Sequence, residues 1–250
     1  MVNRIVIADV GAGFGRDPRW DGLDVHVLAF DPVDPPETTT NVTSLPVALG
    51  ARRETRTLLL TRFGPASGLY SAERLFSRFD AATDVEVVGT QRVDVLDFDS
   101  VAAEHDLPAP DFFKIDVQGA ELEILHGAST HLGRPETLGV AVEVWFEPPG
   151  EGIPTFGEID AYLRPLGYHL FDLTVQRYAR RGHAPPLYDL DGGYGQTATG
   201  QAIWGDALYF RDPVGDGLHL ESRSLVKLAA LMDAYGLPDC AAELATLTGG

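Results

Sequence analysis

Apolar residues fall along the first half of the chain in short unbroken runs, each closed by an acidic or glycine-bearing turn. Val2 to Ala8 ends at Asp9, Asp24 to Phe30 ends at Asp31-Pro32, and Leu45 to Leu49 ends at Gly50. Runs without alternation suit strands buried on both faces, as in a parallel sheet. Thr55 to Thr61 and Val85 to Val95 also have strand composition, with a short helix predicted around Ala72 to Phe79. Ser100 is placed to cap a helix through His105, which Leu107-Pro-Ala-Pro breaks. Asp111 to Val117 reads as a strand, Gly119 to Ala128 as a helix, and Leu138 to Phe146 as the next strand. Thr155 to Leu166 reads as a helix capped by Thr155, followed by strands at Tyr168 to Thr174 and Ala202 to Arg211.

Strand, turn and helix in repeated order predict an α/β fold, a doubly wound and mostly parallel sheet with ligands at the carboxyl ends of its strands. Residues 1–215 form the expected domain, with 175–200 as an irregular insertion rich in Gly, Pro, Tyr and Arg. Insertions of that length in a compact domain are usually functional or disordered. Residues 216–250 read as a tail of two helices broken at Gly236-Leu-Pro. The tail is expected to pack against the core or a second subunit, so a homo-oligomer through these helices is one expected state.

Composition narrows the class. A chain of 250 residues suits one large domain and is short for two. With 44% hydrophobic and 22% charged residues it is ordinary globular material. A formal net charge of −18 repels phosphate backbones and anionic lipid, so neither nucleic acid nor a membrane is an expected partner. No apolar run approaches bilayer length, and the N-terminus lacks the h-region and cleavage site of a secretory signal. The single cysteine, Cys240, excludes an intrachain disulfide framework and a cysteine-based zinc site. A cytoplasmic protein is the expectation.

The chemistry-bearing residues gather at strand ends. Asp9-Val-Gly-Ala-Gly-Phe-Gly15 follows the first strand, where glycines let the backbone turn tightly and approach a ligand. A nicotinamide loop has Gly-x-Gly-x-x-Gly, whereas the third glycine here falls one position early and an acid precedes the first. Asp31 ends the second strand, where a carboxylate offers two acceptor oxygens to the two hydroxyls of a ribose. Capping of a following turn is the competing role. Phe112-Phe-Lys-Ile-Asp-Val-Gln-Gly-Ala-Glu121 places Lys114, Asp116, Gln118 and Glu121 at a strand-to-helix junction, where polar residues either face the ligand crevice or cap the helix.

Taken together these segments resemble the FkbM family of S-adenosylmethionine-dependent methyltransferases. The matching residues are the Asp9 to Gly15 loop, Phe30-Asp31-Pro32 where the family usually has Phe-Glu-Pro, Pro46-Val-Ala-Leu-Gly50, Ser67-Gly-Leu and Val93-Asp-Val-Leu-Asp97. Lys114 to Glu121 with Leu125-His-Gly-Ala128 is the most specific match, and Glu143 and Gly167-Tyr-His-Leu-Phe-Asp-Leu173 also fit. The resemblance covers roughly residues 5 to 211. It implies a seven-stranded, Rossmann-like class I methyltransferase sheet whose last two strands are an antiparallel pair. It also implies contacts to S-adenosyl-L-methionine from Asp9, Gly11, Ala12, Gly13, Asp31, Pro32, Ser67 and Asp116, with S-adenosyl-L-homocysteine as product. Members typically methylate hydroxyl groups on sugars, polyketides and other secondary metabolites.

The chain also departs from the pattern. It begins almost at the first strand, without the N-terminal segment many members carry. Only Arg16 to Phe30 separate Gly15 from Asp31, so the helix that normally follows the glycine loop must be very short or replaced. The adenosyl pocket is then either more open or covered by something else.

Methyl transfer to an alcohol needs the acceptor aligned and its proton removed. Asp116, at the end of its strand, is the expected base, and Glu143 on the neighbouring strand is placed to share that work. Were the two carboxylates to converge they would also offer oxygen ligands to a divalent metal, although capping and hydrogen bonding explain both without one, and no metal site is expected. Gln118, Glu121, and His183 and Tyr194 of the insertion are the acceptor-side candidates, with Tyr178, Tyr188 and Trp204 available to stack on a ring. Two rival functions remain from the sequence: a non-catalytic binding module that keeps the fold, and an NAD-dependent oxidoreductase, which the glycine spacing disfavours.

Overall fold

The computed structural model describes residues 4–183, 187 and 195–248. Its first two strands, β1 (Ile5–Val10) and β2 (Val25–Phe30), are buried almost throughout and pair in parallel. They are followed by β3 (Val42–Leu45), β4 (Ala48–Leu49), β5 (Glu54–Thr61), β6 (Val87–Leu96), β7 (Phe112–Ile115) and β8 (Gly139–Trp145). The last three strands are β9 (His169–Leu173), β10 (Gln176–Tyr178) and β11 (Gln201–Phe210). The main sheet runs β3-β2-β1-β7-β8-β11, with β9 and β10 both on the far side of β11.

The sheet is therefore mixed. β3, β2, β1, β7 and β8 are parallel, while β11 runs antiparallel to β8, β9 and β10. Among the described residues it has eight strands rather than the expected seven, because the strand expected at Tyr168 to Thr174 is followed by a second short one inside the insertion expected to be irregular. β9 and β10 pair with successive stretches of β11, so they occupy one position in the sheet.

A second sheet, β4-β6-β5, was not anticipated. The expected third strand, Leu45 to Leu49, is split: Leu45 closes β3 in the main sheet, and Ala48 and Leu49 join the small one. The small sheet stands over the carboxyl ends of the parallel strands, and the excursion from its β5 to its β6 carries the helix α1 (Glu73–Phe76).

One face of the main sheet is covered by α2 (Phe98–Glu104), α3 (Glu121–Gly127), α4 (Ser129–Leu132) and α5 (Phe156–Leu163). Phe98, Val101, Ile124, Leu125, Leu132, Ile159 and Leu163 pack there on Ala8, Leu28, Ile115 and Val142. α2 begins earlier than the sequence suggests, because Asp97 rather than Ser100 caps it, accepting the Ser100 N–H at 2.8 Å. At α5 the expected capping holds: the Glu158 carboxylate accepts both the backbone N–H and the hydroxyl of Thr155 at 2.8 Å.

The other face has no helix between β1 and β2, only two 3₁₀ turns, Ala12–Phe14 and Pro18–Trp20. The C-terminal helices α6 (Ser222–Ala234) and α7 (Pro238–Thr248) cover it instead. Leu225, Leu228, Leu231, Met232 and Leu244 pack on Ile5, Ile7, Val25, Val27 and Phe210. The Lys227 ammonium donates to both oxygens of Asp111 at 2.8 Å, and Asp111 in turn accepts the N–H of Val6 in β1 at 2.7 Å. Trp20, wholly buried, donates its indole N–H to the Tyr235 hydroxyl at 3.3 Å, while Arg19 lies over the Tyr235 ring at 4.4 Å. The tail thus takes the place of the missing helix and clamps the shortened segment. Leu228 is fully buried in this interface. Leu228→Ala is expected to cost about 2–5 kcal/mol of stability in a urea melt, as for other buried leucines. A loss under about 0.5 kcal/mol, the range of surface substitutions, would mean the tail is not docked in solution.

No helix among the described residues is long and apolar enough to cross a membrane.

Candidate active site

The turn after β1 is built on backbone freedom. Gly11 has φ +86°, and a Cβ there would sit 2.0 Å from the Asp116 carbonyl oxygen. At Gly13 a Cβ would lie 2.6 Å from Asp31 Oδ2, filling the space in front of that carboxylate. The two strand ends are thereby held together: the Gly13 N–H donates to Asp31 Oδ2 at 3.1 Å, and the N–H groups of Val33 and Asp34 donate to Oδ1 at 2.8 and 2.9 Å. Asp31 thus does cap its own turn. A carboxylate has about four lone-pair sites, so three amides leave acceptor capacity on the Oδ2 side rather than on both oxygens.

The junction after β7 is denser. Lys114 Nζ lies 3.5 Å from both Asp9 and Asp116, linking the end of β1 to the end of β7. Burial works against the Lys114 charge, but Asp116 and Asp9 outweigh it and hold the ammonium above its usual range. Asp9 is buried, and burial pushes its carboxyl up to about 6 even against the pull of Lys114. The backbone then turns left-handed at Gln118, φ +64°, and at Gly119, φ +119°. A non-glycine residue there stores roughly 1–3 kcal/mol and persists only where its surroundings over-determine it. The Gln118 side-chain amide supplies the reason: it donates to Asp116 Oδ1 at 3.1 Å and to Glu143 Oε1 at 2.9 Å. The two carboxylates expected to share the base's work therefore do converge, on an amide.

Glu121 and Glu143 are both buried. Glu121 accepts the N–H groups of Val117 and Gly119 at 3.2 and 3.0 Å, closing the turn from beneath. Burial raises its carboxyl to about 7, opposed by those amides. Glu143 is pushed well above the usual carboxylate range, first by burial and then by repulsion from Asp116, Glu121 and Asp206. Its Oε2 has no hydrogen-bond partner among the described residues.

These raised values fix a sign. A group whose folded pKa lies above its unfolded one stabilises the fold fully below the unfolded value, and that contribution is lost as pH rises through the folded value. For Glu121 the window is 4.5 to about 7, and for Asp9 it is 3.8 to about 6. Glu121→Gln, which keeps an acceptor for the two amides, is expected to lose less stability than the parent between about pH 5 and about pH 8. Urea midpoints at the two values test this, and parallel falls in both proteins would refute it.

Between the main and small sheets lies a cavity of about 730 Å³, within the usual range for small-molecule sites. Gly11, Gly13, Asp31 and Pro32 line one end, and Asp116, Gln118 and Glu143 line it further along. Ser67 also reaches the wall, its hydroxyl accepting the Thr61 N–H at 3.0 Å. Asp9 and Glu121 lie behind the wall, and Ala12 turns into the core beneath β1. His183 is exposed and away from the cavity, while Tyr188 and Tyr194 fall outside the described residues.

Two cross-strand pairs of β8 and β11, separated by the Val144–Gly205 pair, complete the far end: Glu143 faces Asp206, and Trp145 faces Trp204. Asp206, Trp145 and the α1 residue Phe76 line the cavity and were missed in the sequence. Only Asp206 left a trace there, as a lone charge in an apolar strand. Tyr178 and Trp204, named as ring-stacking candidates, do reach it, and the Trp204 indole N–H donates to the Tyr178 hydroxyl at 3.1 Å. Among the described residues, no group of three or more His, Cys, Asp or Glu side chains is arranged to hold a metal ion.

Fold and cleft together define a mixed α/β protein with a ligand-sized site at the carboxyl ends of its parallel strands. The family model described as "Methyltransferase FkbM domain" matches residues 9–170, and the chain belongs to that family. It is 26% identical over 145 residues to the hexuronic acid methyltransferase AglP of Haloferax volcanii, a match spanning 57% of this chain and 58% of that relative's length. A solved structure of methyltransferase FkbM from Methylobacillus flagellatus KT aligns with a TM-score of 0.43 at 15% identity, covering 83% of this chain and 44% of that one.

Proposed function

We propose that the protein transfers the methyl group of S-adenosylmethionine to a hydroxyl of a sugar or small secondary metabolite, releasing S-adenosylhomocysteine. One observation carries the reading: a single cavity joins the Gly13–Asp31 corner to the bridged carboxylates Asp116 and Glu143. Family membership supports methyl transfer, and the relative named for hexuronic acid supports a hydroxylated acceptor.

The residues fit the cofactor. Gly13 leaves open the space a side chain would fill before Asp31, whose Oδ2 retains acceptor capacity for a ribose hydroxyl. Gly11, Gly13 and Pro32 line the same end, Asp9 and Ala12 support the turn from behind, and Ser67 closes it from the small sheet. When bound, the cofactor supplies an electrophilic methyl on a sulfonium. The protein's own part is to align the acceptor oxygen and take its proton. Asp116, held from one side by Lys114 and from the other by Gln118, is the base. Its side chain is 42% exposed, open to the cleft. Glu143 orients Gln118 and the acceptor.

Calorimetric titration with S-adenosylhomocysteine, with NAD as the control, tests this directly. Micromolar binding of the former alone is the expected result. Absence of binding would favour a non-catalytic relative, and binding of NAD instead would return the oxidoreductase.

A further inference from the structure

The cavity is lopsided in charge. Among the described residues lining it, Lys114 is the one cation against Asp31, Asp34, Asp84, Asp116, Glu143 and Asp206, and it is already shared between Asp9 and Asp116. Two of these acids, Glu143 and Asp206, are direct cross-strand partners. Two ionised carboxylates directly opposite one another weaken a sheet, and burial together with repulsion of this kind raises the Glu143 carboxyl; a cation placed between the two favours its ionised form. No ion pair reaches either among the described residues; Lys114 and Arg19 act on Asp206 only from a distance. Asp206 accepts the Thr174 hydroxyl at 3.1 Å. Glu143, 4% exposed, lines the cavity with Oε1 on Gln118 and Oε2 unpartnered among the described residues. A buried acceptor without a donor costs free energy that an incoming donor recovers.

The next pair on the same face is aromatic. Trp145 and Trp204 face each other two residues along the same strands, past the Val144–Gly205 pair, and Phe76 stands edge-on to Trp145 with ring centroids 6.3 Å apart. Alternation along each strand puts carboxylate and indole on one face, toward the cavity. The Trp145 indole N–H is a second buried group without a partner among the described residues. Carboxylates and aromatic rings lining one stretch of the cavity suit a cation on a ring-bearing molecule, by Coulomb attraction and by cation–π contact.

We infer that the acceptor is a small ring-bearing amine, held as its ammonium ion between Glu143 and Asp206 with the ring against the Trp145–Trp204 row. This rests on the methyl-transfer reading of the same cavity. The ammonium is the handle rather than the nucleophile: the hydroxyl to be methylated lies toward Asp116, which shares the Gln118 amide with Glu143. The cofactor, with one net positive charge, offsets only one of the carboxylates. An anionic acceptor such as a hexuronic acid would add a further negative charge to the wall and be repelled.

Three probes of matched shape separate the charges: phenethylamine, 2-phenylethanol and phenylacetate, titrated by calorimetry or ligand-observed NMR into the full chain saturated with S-adenosylhomocysteine. The amine is expected to bind at least about tenfold more tightly than the alcohol, with the carboxylate weakest. In Glu143→Gln and Asp206→Asn, melted first to confirm folding, the preference for amine over alcohol is expected to shrink toward parity. Equal binding of amine and alcohol, preference for phenylacetate, or no binding of any probe would overturn the inference. If S-adenosylhomocysteine fails to bind while the amine preference holds in its absence, the cation site stands and the methyl-transfer reading falls. If the product binds without an amine preference, the opposite holds.

Discussion

Asp31→Ala is expected to weaken S-adenosylhomocysteine binding by about 100-fold or more, equivalent to about 2.7 kcal/mol. Two losses add. On the proposed reading the variant removes a charged acceptor from the ribose, and a hydrogen bond to a charged group contributes roughly 1.5–3 kcal/mol. It also strands the N–H groups of Gly13, Val33 and Asp34, which all converge on that carboxylate, so the glycine turn loses its anchor to β2. Asp31→Asn should fall between, since one oxygen remains but the new NH₂ group faces backbone donors. Calorimetry on protein whose melting point is checked in parallel gives the answer. An affinity within threefold of the parent would remove Asp31 from the site.

Asp116→Asn is expected to behave in the opposite way. Its carboxylate lies further along the cavity, beyond the glycine turn, so product binding should change little. Turnover should drop by about 10²–10⁴, the usual contribution of a positioned base. Release of S-adenosylhomocysteine with an acceptor found by screening is the readout. Lys114 sharpens the distinction: once Asp116 is neutral, the ammonium keeps only Asp9 at 3.5 Å. A variant that loses affinity and turnover in equal measure would make Asp116 a binding residue instead, and equal, small effects at Asp31 and Asp116 would sink both assignments.

The parallel half of the sheet was legible because its strands are buried on both faces. Ile5–Val10 and Val25–Phe30 are apolar apart from Asp9 and His26, as burial of both faces favours. The turn residues were legible for a related reason: only glycine tolerates the left-handed backbone at Gly11 and the closeness of the Asp116 carbonyl. Asp31 was partly legible. An acid at a strand end suits both a ribose and a turn, and its three backbone donors became visible only with the fold.

Elsewhere local pattern and outcome diverged. Residues 175–200 looked irregular, yet Gln176–Tyr178 is recruited as a strand because β11 offers an unpaired edge beyond β9. The short segment after Gly15 announced a missing helix but not its replacement, since the covering helices come from more than 200 residues further along the chain. Leu45 to Leu49 read as one strand, and only the competing edges of two sheets divided it.

By itself, then, the sequence determined the buried parallel strands β1, β2, β7 and β8, the positions where glycine is obligatory, the acids that end the strands and the family to which the chain belongs, because each is written in residues close together along the chain. The tertiary structure alone decided that Gln118 bridges Asp116 to Glu143, that Glu143 faces Asp206, and that α6 stands in for a lost helix. Those facts depend on register and on contacts between residues far apart in the chain, and no local periodicity encodes which row of β11 will lie against which row of β8.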